Sequence, residues 1–234
     1  MTKKDTLIIA HRGLHNNSIK ENTKEAFVNA IEENLPIELD IHIIKDNTIV
    51  VFHDDNLKRI YDIDKKIYEY NYDELLKDSN NEIITLKEVL DLVEDKVPLI
   101  IELKVDYDDY RLEKELVKIL DNYKGRFSIK SFNVKSMIWF KNHRKNYTRG
   151  LLISKKYNKL LQRLLLRYNI KRVDPDYLSV NYKLLDKKYI NNLKEKIKVY
   201  AWTIKDKDKY NKYVDRCDGL ICENIDKGEV LWNI

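Results

Sequence analysis

A chain of 234 residues, 43% of them hydrophobic, has the length of one generous domain and enough apolar material for a core. Its 44 lysines and arginines against 39 acidic residues leave a net charge of +5, too mild to mark a nucleic-acid binder. Two cysteines, Cys217 and Cys222, stand without a companion C-x-x-C or histidine cluster, which argues against zinc and reads as reduced core thiols.

The elements follow in chain order. TLIIA (6–10) is a short apolar run and reads as a buried strand ending in HRG. Apolar Ala26, Phe27, Ala30 and Ile31 have helical spacing, with Asn22 or Thr23 as the cap. Pro36 breaks that pattern, and IELDIHII follows as a strand. Asp46-Asn47 opens a turn into a further strand ending at His53. Residues 54–96 are polar and tyrosine-rich, then helical around TLKEVLDLVED. LIIELK after Pro98, RFSIKSF, TRGLLIS, DYLSV, IKVYAWTI and DGLIC supply six more strands, with helical stretches between them.

This alternation predicts an α/β chain with parallel strands and crossover helices. Eight units in this length suit a (β/α)8 TIM barrel formed by one domain over 1–234, with a short insertion after the second βα unit. An open doubly wound sheet is the alternative, although the chain has neither GxGxxG nor GxxxxGK[ST]. There is no apolar run near about 20 residues and no leader-like start. The expected location is cytoplasmic.

In such a barrel the site gathers at the C-terminal ends of the strands. Those ends carry His11 and Arg12; Glu38, Asp40 and His42; His53 and Asp54; Glu102 and Lys104; Lys130 and Ser131; Asn181; Trp202; and Glu223. Strand alternation puts Glu38, Asp40 and His42 on one face, and Glu102 and Lys104 on one face of their own strand. Three carboxylates side by side repel one another unless a cation sits among them. All-oxygen donors favour Mg²⁺ or Ca²⁺, with Mn²⁺ also fitting. The competing reading pairs each acid with a basic neighbour, Arg12 or Lys104. A metal, an arginine, a lysine and two histidines together suit phosphodiester cleavage. A metal-dependent aldolase or isomerase, and a non-catalytic lipid-headgroup binder, are the other classes.

HRG at 11–13, ENTKEAFVNA at 21–30, ELDIHIIKD at 38–46, VVFHDDNLKR at 50–59, IELK at 101–104, SF at 131–132, AWT at 201–203 and DGLICEN at 218–224 together resemble the glycerophosphodiester phosphodiesterase family, in its motif order along nearly the whole chain. The resemblance implies a barrel hydrolase that converts glycerophosphodiesters to sn-glycerol 3-phosphate and an alcohol with one divalent cation, Ca²⁺ or Mg²⁺. It implies that His11 and His53 are the acid/base pair and that Arg12 and Lys104 contact phosphate. It makes Trp202 a pocket wall, Glu38, Asp40 and Glu102 the metal ligands, and Glu21 and Asn22 a support from the first loop. ICEN departs from the family's Ile-Thr-Asp type of ending, which bears on substrate preference. His42 is balanced between a rim contact and a structural role; His15 and His143 read as surface or packing residues.

One segment stands apart. KKYNKLLQRLLLRYNIKR (155–172) has no acidic residue and repeats Lys155, Lys159, Arg163, Arg167 and Lys171 every fourth position beside leucines. It reads either as an outer helix with a solvated basic face or as a weak contact with an anionic membrane surface. The expected partners are otherwise a small-molecule glycerophosphodiester and no nucleic acid.

Overall fold

The computed structural model describes residues 6–106 and 109–223. Its strands are β1 (Leu7–His11), β2 (Ile37–Ile43), β3 (Ile49–Val51), β4 (Asn56–Leu57), β5 (Ile63–Lys66), β6 (Leu99–Leu103), β7 (Phe127–Ser131), β8 (Arg149–Ile153), β9 (Tyr177–Asn181), β10 (Lys198–Ile204) and β11 (Gly219–Cys222). Its α-helices are α1 (Lys24–Glu32), α2 (Lys58–Tyr61), α3 (Tyr72–Asp78), α4 (Leu86–Val93), α5 (Arg111–Leu120), α6 (Val134–His143), α7 (Leu160–Val173), α8 (Lys188–Lys194) and α9 (Lys207–Tyr213). Eight of the strands (β1, β2 and β6–β11) pair in parallel fashion and alternate with helices, as the (β/α)8 TIM barrel requires.

The chain divides into two compact units, one comprising the segment up to His11 with residues from Ser128 onward, the other Arg12–Phe127. In the first unit the strands follow the order β1-β11-β10-β9-β8-β7. Leu7 is level with Gly219, Val199 with Leu178, and Ile129 with Arg149. These strands are short and rich in valine, isoleucine and leucine, because a parallel strand covered on both faces must be apolar nearly throughout. The core is made by residues such as Ile9, Leu151, Leu178, Val199 and Leu220.

In the second unit β2 pairs with β6 in parallel and with β3 antiparallel. All seven residues of β2 and all five of β6 are buried. Helix starts follow local chemistry: the Thr23 side chain accepts the Ala26 N–H, and Thr85 forms a capping box with Glu88. The insertion enters directly after β2, ahead of α4, rather than after a completed βα unit. It builds its own small core from Ile44, Phe52, Leu57, Ile67, Tyr70 and Leu75. Enough apolar side chains lie in this polar stretch to hold a compact cap against β3.

Candidate active site

In the second unit the carboxylates come together as expected. The β2–β6 register sets Asp40 level with Glu102 and Glu38 level with Ile100. Neighbours at one level of a sheet share a face, so both strands aim their acids the same way. One oxygen from each of Glu38, Asp40 and Glu102 lies within 4.8 Å of the others, and all three residues are buried.

Cations do lie against them. Lys104 Nζ is 2.9 Å from Asp40 and also meets Glu102. Arg12 Nε is 3.2 Å from Asp40, and the Arg12 backbone N–H donates to Glu38 at 3.2 Å. The pairing reading of the acids is therefore partly realised, through Arg12 and Lys104. Burial by itself would lower the pKa of Lys104; Asp40 and Glu102 overturn that and raise it. Arg12 behaves likewise, burial opposing its charge and Asp40, Glu21 and Glu38 outweighing burial.

The HRG turn makes this geometry. Arg12 and Gly13 both have positive φ, and a Cβ on Gly13 would meet the Ala26 backbone at 2.9 Å. The turn points the Arg12 N–H at Glu38. Asn22 also has positive φ, which asparagine tolerates. Its N–H donates to the Arg12 carbonyl at 2.9 Å and its amide to Asp40 at 3.1 Å. The Asn22 side-chain oxygen is buried without a hydrogen-bond partner. A buried acceptor beside three carboxylates forms a hard, all-oxygen donor set suited to Ca²⁺ or Mg²⁺.

His53 stands on a chain of ion pairs. Its Nδ1 donates to Asp54 at 2.5 Å, since an ionised carboxylate can only accept. Asp54 accepts from Arg59 at 2.6 Å, Arg59 binds Glu21 at 2.6 Å, and Glu21 binds Arg12 at 2.6 Å. Burial lowers the pKa of His53, as do Lys104 and Arg12, against the opposing pull of Asp40 and Asp54. The imidazole is neutral at pH 7.

His42 belongs to the structural side of its alternatives. It is buried, its Nδ1 donates to Asp106 at 2.8 Å, and its Nε2 lies 3.3 Å from the His53 carbonyl. It braces the backbone that carries His53.

In the first unit His11 is buried at the end of β1, and its Nδ1 donates to Glu223 at 2.7 Å. The other Glu223 oxygen meets Lys205 at 2.5 Å. Burial would raise the Glu223 carboxyl, but His11 and Lys205 bring it down to about 2. This carboxylate fixes the orientation of the His11 ring through Nδ1. Trp202 packs edge to face on Phe132 with centroids 5.7 Å apart. Asn181 caps the turn after β9 through the Lys183 N–H. Lys130 and Ser131 are buried. His143 packs on Trp139, as a packing residue should.

The roles of Arg59, Asp106 and Lys205 were not visible in the sequence. Arg59 lies inside the VVFHDDNLKR motif, five positions after Asp54, and that placement is the one available signal. Among the described residues no helix is long and apolar enough to cross a membrane.

Buried carboxylates, a guanidinium and an ammonium at the strand ends of a (β/α)8 fold define a barrel enzyme for phosphate-ester chemistry. The chain belongs to the glycerophosphodiester phosphodiesterase family: residues 11–227 match the profile described as Glycerophosphoryl diester phosphodiesterase family. It is 30% identical to a glycerophosphodiester phosphodiesterase of Caldanaerobacter subterraneus subsp. tengcongensis, over 98% of this chain and 97% of that one. The crystal structure of a Thermotoga maritima glycerophosphodiester phosphodiesterase matches with a TM-score of 0.78 at 28% identity, over 93% of this chain and 94% of that one. An Oleispira antarctica phosphodiesterase, solved with its product sn-glycerol-3-phosphate, has the same fold, with a TM-score of 0.79 at 24% identity over 92% of each chain. The protein is accordingly a phosphodiesterase of the family that hydrolyses glycerophosphodiesters.

Proposed function

We propose that this enzyme hydrolyses small glycerophosphodiesters to sn-glycerol 3-phosphate and an alcohol, as one cytoplasmic domain, by proton transfer through His11 and His53. The observation that carries the reading is the buried trio Glu38, Asp40 and Glu102 with Arg12 and Lys104 laid against it. The trio would hold one divalent cation, Ca²⁺ or Mg²⁺ (Mn²⁺ suits the same donors), which when bound supplies Lewis-acid polarisation of a phosphoryl oxygen. Arg12 and Lys104 then hold the phosphodiester and neutralise its charge. Asn22 and Glu21 keep Arg12 in place. Trp202 and Phe132 offer an apolar wall for the alcohol.

His53, neutral and oriented by Asp54, suits the base that takes the proton from the nucleophile. That nucleophile is water, or the neighbouring glycerol hydroxyl with a cyclic phosphate opened by water afterwards. His11, oriented by Glu223, gives a proton to the leaving alkoxide. Weak contact of 155–172 with an anionic membrane surface is the partner proposal that accompanies this reading.

The test is a panel of glycerophosphocholine, glycerophosphoethanolamine, glycerophosphoglycerol and a lysophospholipid, each with EDTA, Mg²⁺, Ca²⁺ or Mn²⁺. Metal-dependent release of glycerol 3-phosphate is expected, and His53→Ala should lower it by about 10²- to 10⁴-fold. Full activity in EDTA, or near-normal turnover in that variant, would remove the corresponding part of the mechanism.

A further inference from the structure

Helix α7 is built inside out. A barrel helix normally turns its leucines toward the sheet. Here Leu166, Asn169 and Val173 make the buried face. Leu160, Leu161, Leu164, Leu165 and Tyr168 are each half or more exposed, Leu161 reaching 78%. They are five of the seven exposed large apolar side chains among the described residues. At about 100° per residue they fill one arc of about 140°, whose middle lies roughly 140° from the middle of the buried face. An unbroken outward apolar stripe of this kind is rare unless something covers it.

The surroundings of the stripe are basic. Lys155, Lys156, Lys159, Arg163, Arg167, Lys171 and Arg172 accompany it, and no acid lies between Lys155 and Val173. Lys155 also lies against Lys183, and this like charge lowers its pKa. Both lysines follow the C-terminal ends of their strands, β8 and β9. That is the end where barrel active sites open. A nearby anion would relieve the crowding.

Charge selects the occupant. A second copy meeting this face about a two-fold axis would set these bases against the same bases. A bilayer with anionic headgroups complements them. Leucines and a tyrosine entering the headgroup boundary, with long basic side chains reaching to the phosphates, are the combination an in-plane interfacial helix uses.

We infer that α7 docks the protein on an anionic lipid surface, its outward leucines and Tyr168 entering the interface while the flanking lysines and arginines meet the lipid phosphates. Docking on α7 lays the C-terminal ends of β8 and β9 beside the headgroups. The inference stands on this surface alone, because binding is read without turnover and survives failure of the hydrolytic reading.

The experiment is co-sedimentation of the full-length protein with vesicles of phosphatidylcholine alone or mixed with phosphatidylglycerol, in metal-free buffer. Pelleting with the mixed vesicles only is expected, weakening as salt rises. Leu160→Ser/Leu161→Ser should bind about tenfold or more weakly, and Arg167→Glu/Lys171→Glu should lose the preference for the anionic lipid. All four side chains lie off the buried face, and circular dichroism verifies folding. Equal pelleting with both vesicle types, no pelleting, or wild-type binding by the leucine variant would overturn the inference. So would a solution dimer that the leucine substitutions dissociate, which would give the face to a second copy.

Discussion

Strand β2 and helix α7 each reverse the usual placement of polar and apolar groups. β2 buries Glu38, Asp40 and His42, residue types that normally stay in water. α7 exposes four leucines and a tyrosine while burying an asparagine. Neither arrangement is favourable for the chain alone. A buried carboxylate needs a counter-charge, and an outward leucine row needs a cover. The difference lies in how firmly each is held. The β2 acids are fixed by strand register and by Arg12, Asn22 and Lys104. The outward leucines have no such frame, since the helix packs through its opposite face. An interior reversal that a small ion would complete demands built geometry, whereas the surface reversal proposed to meet a fluid interface demands composition.

The strongest way to break the comparison is to remove a carboxylate from β2. Asp40→Asn should lower turnover by about 10³-fold or more and abolish the rise in melting temperature that Ca²⁺ or Mg²⁺ gives the wild type. A variant that kept both turnover and the metal-induced shift would show that Asp40 is held by Lys104 and Arg12 for structural reasons only.

Next in size is Glu223→Gln, which keeps the shape at His11 but removes the charge. Its kcat should fall by about 10- to 100-fold, with the substrate KM little changed. The stability effect has a definite sign. The Glu223 carboxyl lies at about 2 in the folded protein, below its ordinary value of 4.5. Its contribution is therefore complete above the ordinary value and is lost as pH falls toward about 2. The melting temperatures of wild type and variant should differ at neutral pH and converge in that acid window. A constant gap across the range would detach the carboxylate's charge from the effect.

The smallest effect sharpens the α7 side. Leu160→Ser/Leu161→Ser should change stability by no more than about 0.5 kcal/mol per site and leave hydrolysis of a soluble diester unchanged. A large loss of stability would mean that these leucines are packed, and the contrast with β2 would fail.

Much of this was legible along the chain. Alternation of charge along β2, and from Glu102 to Lys104 at the end of β6, announced one acid-bearing face on each strand, because a strand's side chains repeat every second residue and one face follows from spacing alone. The strand-end positions of His11, Arg12 and Lys104 followed from the βα alternation in the same way, and that of His53 from the turn at Asp46-Asn47 that opens its strand. The sequence likewise showed that 155–172 lacks acid and is rich in leucine. It could not show which way the leucines turn, since a leucine-rich helix with a basic stripe fits either orientation on a barrel. That choice was made by Leu166, Asn169 and Val173, which pack inward.

Long-range pairings were equally hidden. Glu223 meets His11 across 212 positions, and Arg59 meets Glu21 across 38. His42 shared the face of Glu38 and Asp40, and only its bonds to Asp106 and the His53 carbonyl set it to bracing. Sequence by itself determined the eight parallel strands, the acids they carry and the family they belong to, because these depend on local periodicity and motif order; the β4–β5 hairpin, in a stretch read as polar, it did not show. Tertiary structure alone decided which histidine is oriented by which carboxylate and which face of α7 meets the outside, because both depend on where distant segments of the chain come to rest.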